Sequence, residues 1–135
     1  MNLNWDNNLS TGINSIDDQH KELFSRINQL LVAMKSGKGK DEAIKSLNFL
    51  EEYVIKHFDD EEAIQKKNSY PNYNKQHTQH EEFKEELKEL RKVFETTGVS
   101  ALFVINVQQK MSNWWKSHIT GMDKDLGKFL MEAKK

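Results

Sequence analysis

Six side chains in this sequence combine metal-binding chemistry with helical spacing: His20, His57, Glu61, His80, His118 and Asp123. Imidazole nitrogen and carboxylate oxygen together suit iron, manganese or zinc. Thiolate sites, disulfides and cysteine nucleophiles are excluded, because the chain has no cysteine. His57 and Glu61 are four residues apart, so on a helix one lies above the other, about 5.4 Å along the axis. A carboxylate can bridge two metal ions, which an imidazole does not, so Glu61 is one candidate bridge. Asp123 is the other, and its spacing is awkward. It follows His118 by five residues, which on a regular helix turns it about 140° away. The two meet only if the helix widens there, and Gly121 permits that. A departure from α geometry between His118 and Asp123 is therefore expected.

The elements that must position these groups can be read from apolar spacing. An arm, Met1 to Ser15, precedes a first helix that Ser15 or Asp17 caps and that runs to about Lys35, stopping at Ser36-Gly37-Lys38-Gly39. A second helix spans about Asp41 to Lys66, and Asn68 to Pro71 is a break. A third spans about Asn72 to Glu95 and ends at Thr96-Thr97-Gly98; a fourth spans about Ser100 to His118. A short helical tail follows, from about Lys124 to Glu132. On the first helix Phe24, Ile27, Leu31 and Met34 share a face, with His20 one turn earlier. Ala43, Leu47, Leu50, Val54, His57, Glu61 and Ile64 form the second stripe. Tyr73, Gln76, His80, Phe83, Leu87, Leu90 and Phe94 form the third, and Val104, Val107, Met111, Trp114 and His118 the fourth. Trp115 is expected at a flank or near the arm.

Steps of alternating three and four mark the inward seam of packed helices. Short connections make an all-α, up-down-up-down four-helix bundle, with an N-terminal arm and a short C-terminal helical tail, the expected fold of one domain, residues 1–135. That topology brings His20, His57, Glu61, Gln76, His80 and His118 to one level of the core. A lone seam histidine is more often a hydrogen-bonded structural residue than a ligand. Several at one level, with Glu61 and Asp123, favour a metal, because burying so many polar groups uncompensated costs several kcal/mol.

Net charge is −1 at pH 7, so no basic excess argues for nucleic acid or an anionic membrane surface. The polar start, Met1 to Ser10, does not read as a signal peptide, and no apolar stretch is long enough to span a bilayer. A cytoplasmic protein is expected. A monomer is expected too, since no exposed apolar stripe is evident. Nothing in the sequence identifies a protein partner.

The order of motifs resembles the bacterial hemerythrins. The run from Trp5 through Gly12-Ile13 and Asp17-Asp18-Gln19-His20 to Lys21-Glu22-Leu23-Phe24 looks like that family's opening. His57-Phe58-Asp59-Asp60-Glu61-Glu62 resembles its second-helix motif. Tyr70-Pro71 with His80-Glu81-Glu82-Phe83 resembles its third. Trp114-Trp115-Lys116-Ser117-His118-Ile119, with Asp123-Lys124, resembles its fourth. Any one motif is weak; together, in order, over nearly the whole chain, they are specific.

The resemblance implies a non-haem pair of iron ions, cycling between Fe2+ and Fe3+, bridged by Glu61, Asp123 and an oxo or hydroxo group. One iron would take His20 and His57 and leave a place for dioxygen. The other would take His80, His118 and a third histidine. The implied function is reversible dioxygen binding for carriage, storage or sensing, without catalytic residues. A diiron oxidase, a peroxidase or a nitric-oxide-reactive protein is the enzyme alternative, and metal storage a third. Leu23, Phe24, Ile27 and Trp114 would line the site.

One position departs from the pattern. Counted from Pro71 or back from Phe83, the family's other third-helix histidine falls on Gln76. Three readings stay open. Gln76 supplies a weak oxygen ligand or leaves a position to water; the next residue, His77, reaches in instead; or the second iron binds poorly. The stripe argues against His77, which lines up with the polar Glu81, Lys84 and Lys88.

Overall fold

A computed structural model describes residues 4–35, 40–96 and 100–133. The arm makes one 3-10 turn at Asn7–Leu9, capped by the Asp6 carboxylate on the Asn8 N–H. Four long helices follow: α1 (Asn14–Lys35), α2 (Lys40–Lys67), α3 (Tyr73–Thr96) and α4 (Ala101–His118). A π-helical turn, Ile119–Asp123, joins α4 to α5 (Lys124–Ala133). The glycine-bearing stops at Ser36 to Gly39 and at Thr97-Gly98 lie outside the described residues, as does the start of the arm.

Neighbouring helices run antiparallel. Arg26 of α1 donates to the Phe49 carbonyl while Gln19 reaches Asp60. Arg91 of α3 meets Glu51 while His80 meets Glu61. Lys110 of α4 meets Glu86 while His118 meets Gln79. This is the expected up-down-up-down order, with α4 returning against α1.

The ends of the helices have local causes. The Ser100 hydroxyl accepts from the Phe103 N–H and starts α4 where expected. At the end of α2, Ser69 is left-handed (φ 56°). The Tyr70 N–H returns to the Gln65 carbonyl and the Ser69 N–H to that of Lys66, which closes a Schellman motif. The first helix starts at Asn14, earlier than a Ser15 or Asp17 cap would place it. Asp17 instead ties down the arm: its carboxylate accepts from the Thr11 N–H and hydroxyl and from the Ser10 hydroxyl. Burial alone would raise its pKa, but the bonds from Ser10 and Thr11 outweigh burial and hold it below the ordinary range.

Gly127 lets the arm lie on α5, because a Cβ there would stand 2.1 Å from the Thr11 carbonyl oxygen. Beneath it Ile16, Tyr70, Leu126 and Leu130 make a small apolar floor. The main core runs through the upper bundle, from Leu23, Phe24 and Ile27 to Leu90, Phe94 and Val104.

Two stripes need correction. On α4 the inward face is Val104, Gln108, Met111, Trp115 and His118, so Trp115 is fully buried and Trp114 only half-buried. At 100° per residue, Trp115 lies about 20° from the direction of Val104, and Trp114 about 80° away. On α2 Gln65, not Ile64, is fully buried. A straight helix slips about 20° per heptad against a seven-residue repeat. Three heptads after Ala43 the inward position has therefore moved on by one residue.

Candidate metal centre

All four expected histidines converge at the lower end of the bundle, and each is essentially buried. His20 comes from α1, His57 from α2, His80 from α3 and His118 from the end of α4. Their Nε2 atoms face two buried carboxylates in a paired pattern. Glu61 presents Oε2 to His57 at 3.5 Å and Oε1 to His80 at 3.2 Å. Asp123 presents Oδ2 to His20 at 3.0 Å and Oδ1 to His118 at 3.3 Å. Each carboxylate thus offers one oxygen to a His20/His57 half and one to a His80/His118 half. Donor atoms of His20, His57, Glu61 and Asp123 lie within 4.8 Å of one another, as do those of Glu61, His80 and His118.

Asp123 gets there because the chain between it and His118 forms a single π turn. Its wider circuit, about five residues rather than four, undoes the 140° offset of a regular helix. The expected departure from α geometry is present, but glycine is not its cause. Gly121 is exposed, and a Cβ there would have nothing within 4 Å.

Three of the rings are held from behind. His57 Nδ1 donates to Gln19 Oε1 at 2.7 Å, His118 Nδ1 to Gln79 Oε1 at 2.6 Å, and His80 Nδ1 to Glu62 Oε2 at 2.7 Å. An Nδ1 proton so engaged leaves the Nε2 lone pair facing inward, the tautomer a metal requires. Composition did not single out Gln19, Gln79 and Glu62, but position could have: each is the immediate chain neighbour of a candidate ligand. All three serve a histidine on a different helix from their own. Aromatic rings complete the walls. Phe58 stacks on His80 with centroids 3.9 Å apart, Trp114 stacks on His118 at 4.6 Å, and Trp115 stands 6.1 Å from both His20 and His57. Leu23, Phe24 and Ile27 are buried in the adjoining core.

The inward-facing atoms are otherwise unsatisfied. None of the four Nε2 atoms, neither Glu61 oxygen and not Asp123 Oδ2 makes a directed hydrogen bond. Burial pushes the Glu61 carboxyl well above its ordinary pKa, and the Asp123 charge adds to this. Burial acts the same way on Asp123, but His118 and His20 outweigh it and hold it well below. Burial drives His57 well down, reinforced by His20, and His80 down to about 4, with His118 second. Four imidazoles and two carboxyl groups, buried together, make a nitrogen- and oxygen-rich cage that fits iron.

The hemerythrin HHE cation binding domain matches residues 11–130. The chain belongs to the hemerythrin family. A bacteriohemerythrin of Methylococcus capsulatus is 28% identical over 119 residues, 88% of each chain. A myohemerythrin of Sipunculus nudus is 29% identical over 119 residues, 88% of this chain and 86% of its own. Among solved structures, a wild-type hemerythrin superposes with a TM-score of 0.80 at 27% identity, covering 95% of this chain and 97% of its own. Hemerythrins are a diiron, oxygen-binding family of four-helix bundles, and the fold described here is theirs. Among the described residues no helix is long and apolar enough to cross a membrane.

Gln76 stands where the resemblance implied a third histidine. That side chain is fully buried on the inward face of α3. It donates its amide N–H to Asp123 Oδ1 at 3.0 Å. His77 points elsewhere: it is half-exposed and pairs with Glu62 Oε1 at 2.9 Å. The rotation that would bring His77 inward does not occur, because Gln76 and His80 share the seam and His77 sits about 100° around from Gln76.

Proposed function

We propose that this hemerythrin holds two iron ions and binds dioxygen reversibly, as a carrier, store or sensor. The observation that carries this reading is the pairing of carboxylate oxygens. Glu61 and Asp123 each turn one oxygen to His20/His57 and the other to His80/His118. That is the arrangement a pair of bridged metal ions needs, and seven of these inward-facing atoms have no other partner.

When bound, the iron pair would supply the two electrons that dioxygen needs and take them back on release. The protein's own part is to hold, orient and exclude. His20 and His57 would hold one ion, and His80 and His118 the other, with Glu61 and Asp123 spanning both. Gln19, Gln79 and Glu62 fix the ring tautomers, so the donor atoms need no reorganisation. Phe58, Trp115 and Trp114 keep bulk water and its protons away, which slows loss of reduced oxygen species.

The test is iron per chain after anaerobic loading with ferrous iron, followed by cycles of oxygenation and deoxygenation monitored by absorbance. Two irons and a spectrum that returns over several cycles are expected. Steady oxygen consumption with a reductant would instead favour the diiron oxidase or peroxidase reading. Gln76 gives that reading some footing, because a half-centre without its third imidazole is more open to other ligands.

A further inference from the structure

The core beside the centre contains two buried amides whose chemistry is unfinished. Gln65 is fully buried, and neither its amide oxygen nor its amide nitrogen has a hydrogen-bond partner. Gln76 is equally buried, spends its nitrogen on Asp123 and leaves Oε1 without a partner. An unsatisfied buried amide is destabilising, whereas an apolar side chain at the same place would carry no such cost.

The antiparallel fold puts the two amides at one level. Glu61 Oε1 and His80 Nε2 are 3.2 Å apart, which fixes the register of α2 against α3. Gln65 lies four residues on from Glu61 along α2, and Gln76 four residues back from His80 along α3. On antiparallel helices both steps move about 6 Å in the same direction. Both residues occupy inward positions, so α2 and α3 bring them to one level beside Glu61 and His80, with no hydrogen bond between the two amides. Gln76 is also where the imidazole that resembles a third ligand in the family is missing.

We propose that Gln65 and Gln76 frame a binding position for one small, hydrogen-bonding ligand, a water or a small anion, on the iron held by His80 and His118. This rests on the diiron reading. The chemistry is complementary. A coordinated water has two protons to donate, and the two amides offer two unpartnered oxygens. A small anion would instead take the unpartnered Gln65 amide N–H. The centre therefore has an exchangeable position in each half: the expected dioxygen position beside His20 and His57, and a second one in the half that lacks its third imidazole.

The experiment is an azide titration of the oxidised, iron-loaded protein. Azide bound per iron pair is measured by equilibrium dialysis and by the charge-transfer absorbance that azide gains on ferric iron, with iron per chain assayed on the same samples. Two azides per pair are expected for the native chain and one for Gln76→His. For Gln65→Leu, the second azide should bind at least about tenfold more weakly while the first is unchanged. One azide per pair in a native chain that holds two irons would overturn the proposal and mean that the Gln76 oxygen itself closes the position. Two equal azides in Gln65→Leu would overturn the role of Gln65. Fewer than two irons per native chain would overturn the diiron reading and this proposal with it, and the iron assay identifies that case. The native stoichiometry decides the main point even if a variant folds poorly.

Discussion

Glu61 should reveal the cost of the centre when its sign is read in the metal-free protein. The side chain is fully buried between His57 and His80, close to the charged Asp123, with neither oxygen in a directed hydrogen bond. Its pKa is raised well above the ordinary value, by burial first and Asp123 second. For an acid raised on folding, stability is fully present below the unfolded pKa and is lost as pH rises toward the folded one. Holding a proton on an ordinary glutamate of pKa near 4.3 costs about 1.4 kcal/mol per pH unit above that value, or at most roughly 3.7 kcal/mol at pH 7. Glu61→Gln supplies the neutral isostere without that work. The metal-free variant should therefore be more stable than the metal-free native chain, by roughly 1–4 kcal/mol at pH 7. The gap should shrink by up to about 1.4 kcal/mol for each unit the pH is lowered toward 5. Iron binding should move the other way, because one of the two oxygens facing the halves is replaced by an amide nitrogen that does not ligate. The assay is urea unfolding of chelator-treated protein by circular dichroism at pH 7.5, 6.5 and 5.5, with iron per chain measured separately. A metal-free variant less stable than the native chain, or a gap that ignores pH, would refute the reasoning.

Four further substitutions test other parts of the structure. Gly127→Ala drives a Cβ to 2.1 Å from the Thr11 carbonyl; thermal unfolding should show a net loss of about 1–2 kcal/mol, after a helix-propensity gain of about 1 kcal/mol. Gly121→Ala meets open space and should change stability by less than about 1 kcal/mol with iron content intact; loss of iron would show that the π turn needs glycine after all. Gln79→Leu removes the acceptor for His118 Nδ1 and should weaken metal affinity by about 10–100-fold in competition with a chelator. Asp17→Asn weakens the anchor of the arm and should cost about 1–2 kcal/mol at pH 7. The Asp17 pKa is lowered on folding, so that stability is fully present above the unfolded value near 3.9 and is lost as pH falls through the folded one. The deficit of Asp17→Asn should accordingly fade in denaturation curves taken at lower pH.

How much of this was legible in the sequence depends on what kind of information each feature needs. The four histidines, Glu61 and the level at which they meet follow from spacing plus topology, because a short-looped bundle allows few arrangements. Asp123 was legible as a contradiction: a carboxylate five residues after a seam histidine reaches the seam only through a wider turn, and the π turn is there. Its cause was not legible, since glycine suggested a backbone requirement that the open space at Gly121 does not support. The rotations of α2 and α4 were missed because stepping by three or by four from one anchor fits a stripe equally well. Only the 100° advance over several turns separates Trp115 from Trp114 and Gln65 from Ile64. That same rotation brings Gln65 inward, where a polar residue would not be placed by an apolar pattern. No seam pattern marks the supports Gln19, Gln79 and Glu62, and what gives them a role is the chain neighbour that each helix carries into the core. Stripes thus locate donors, while the choice between one residue and the next is made by the partner helix. It is at those adjacent residues, Gln76 against His77 and Gln65 against Ile64, that the buried seams depart from the apolar and histidine pattern expected of them.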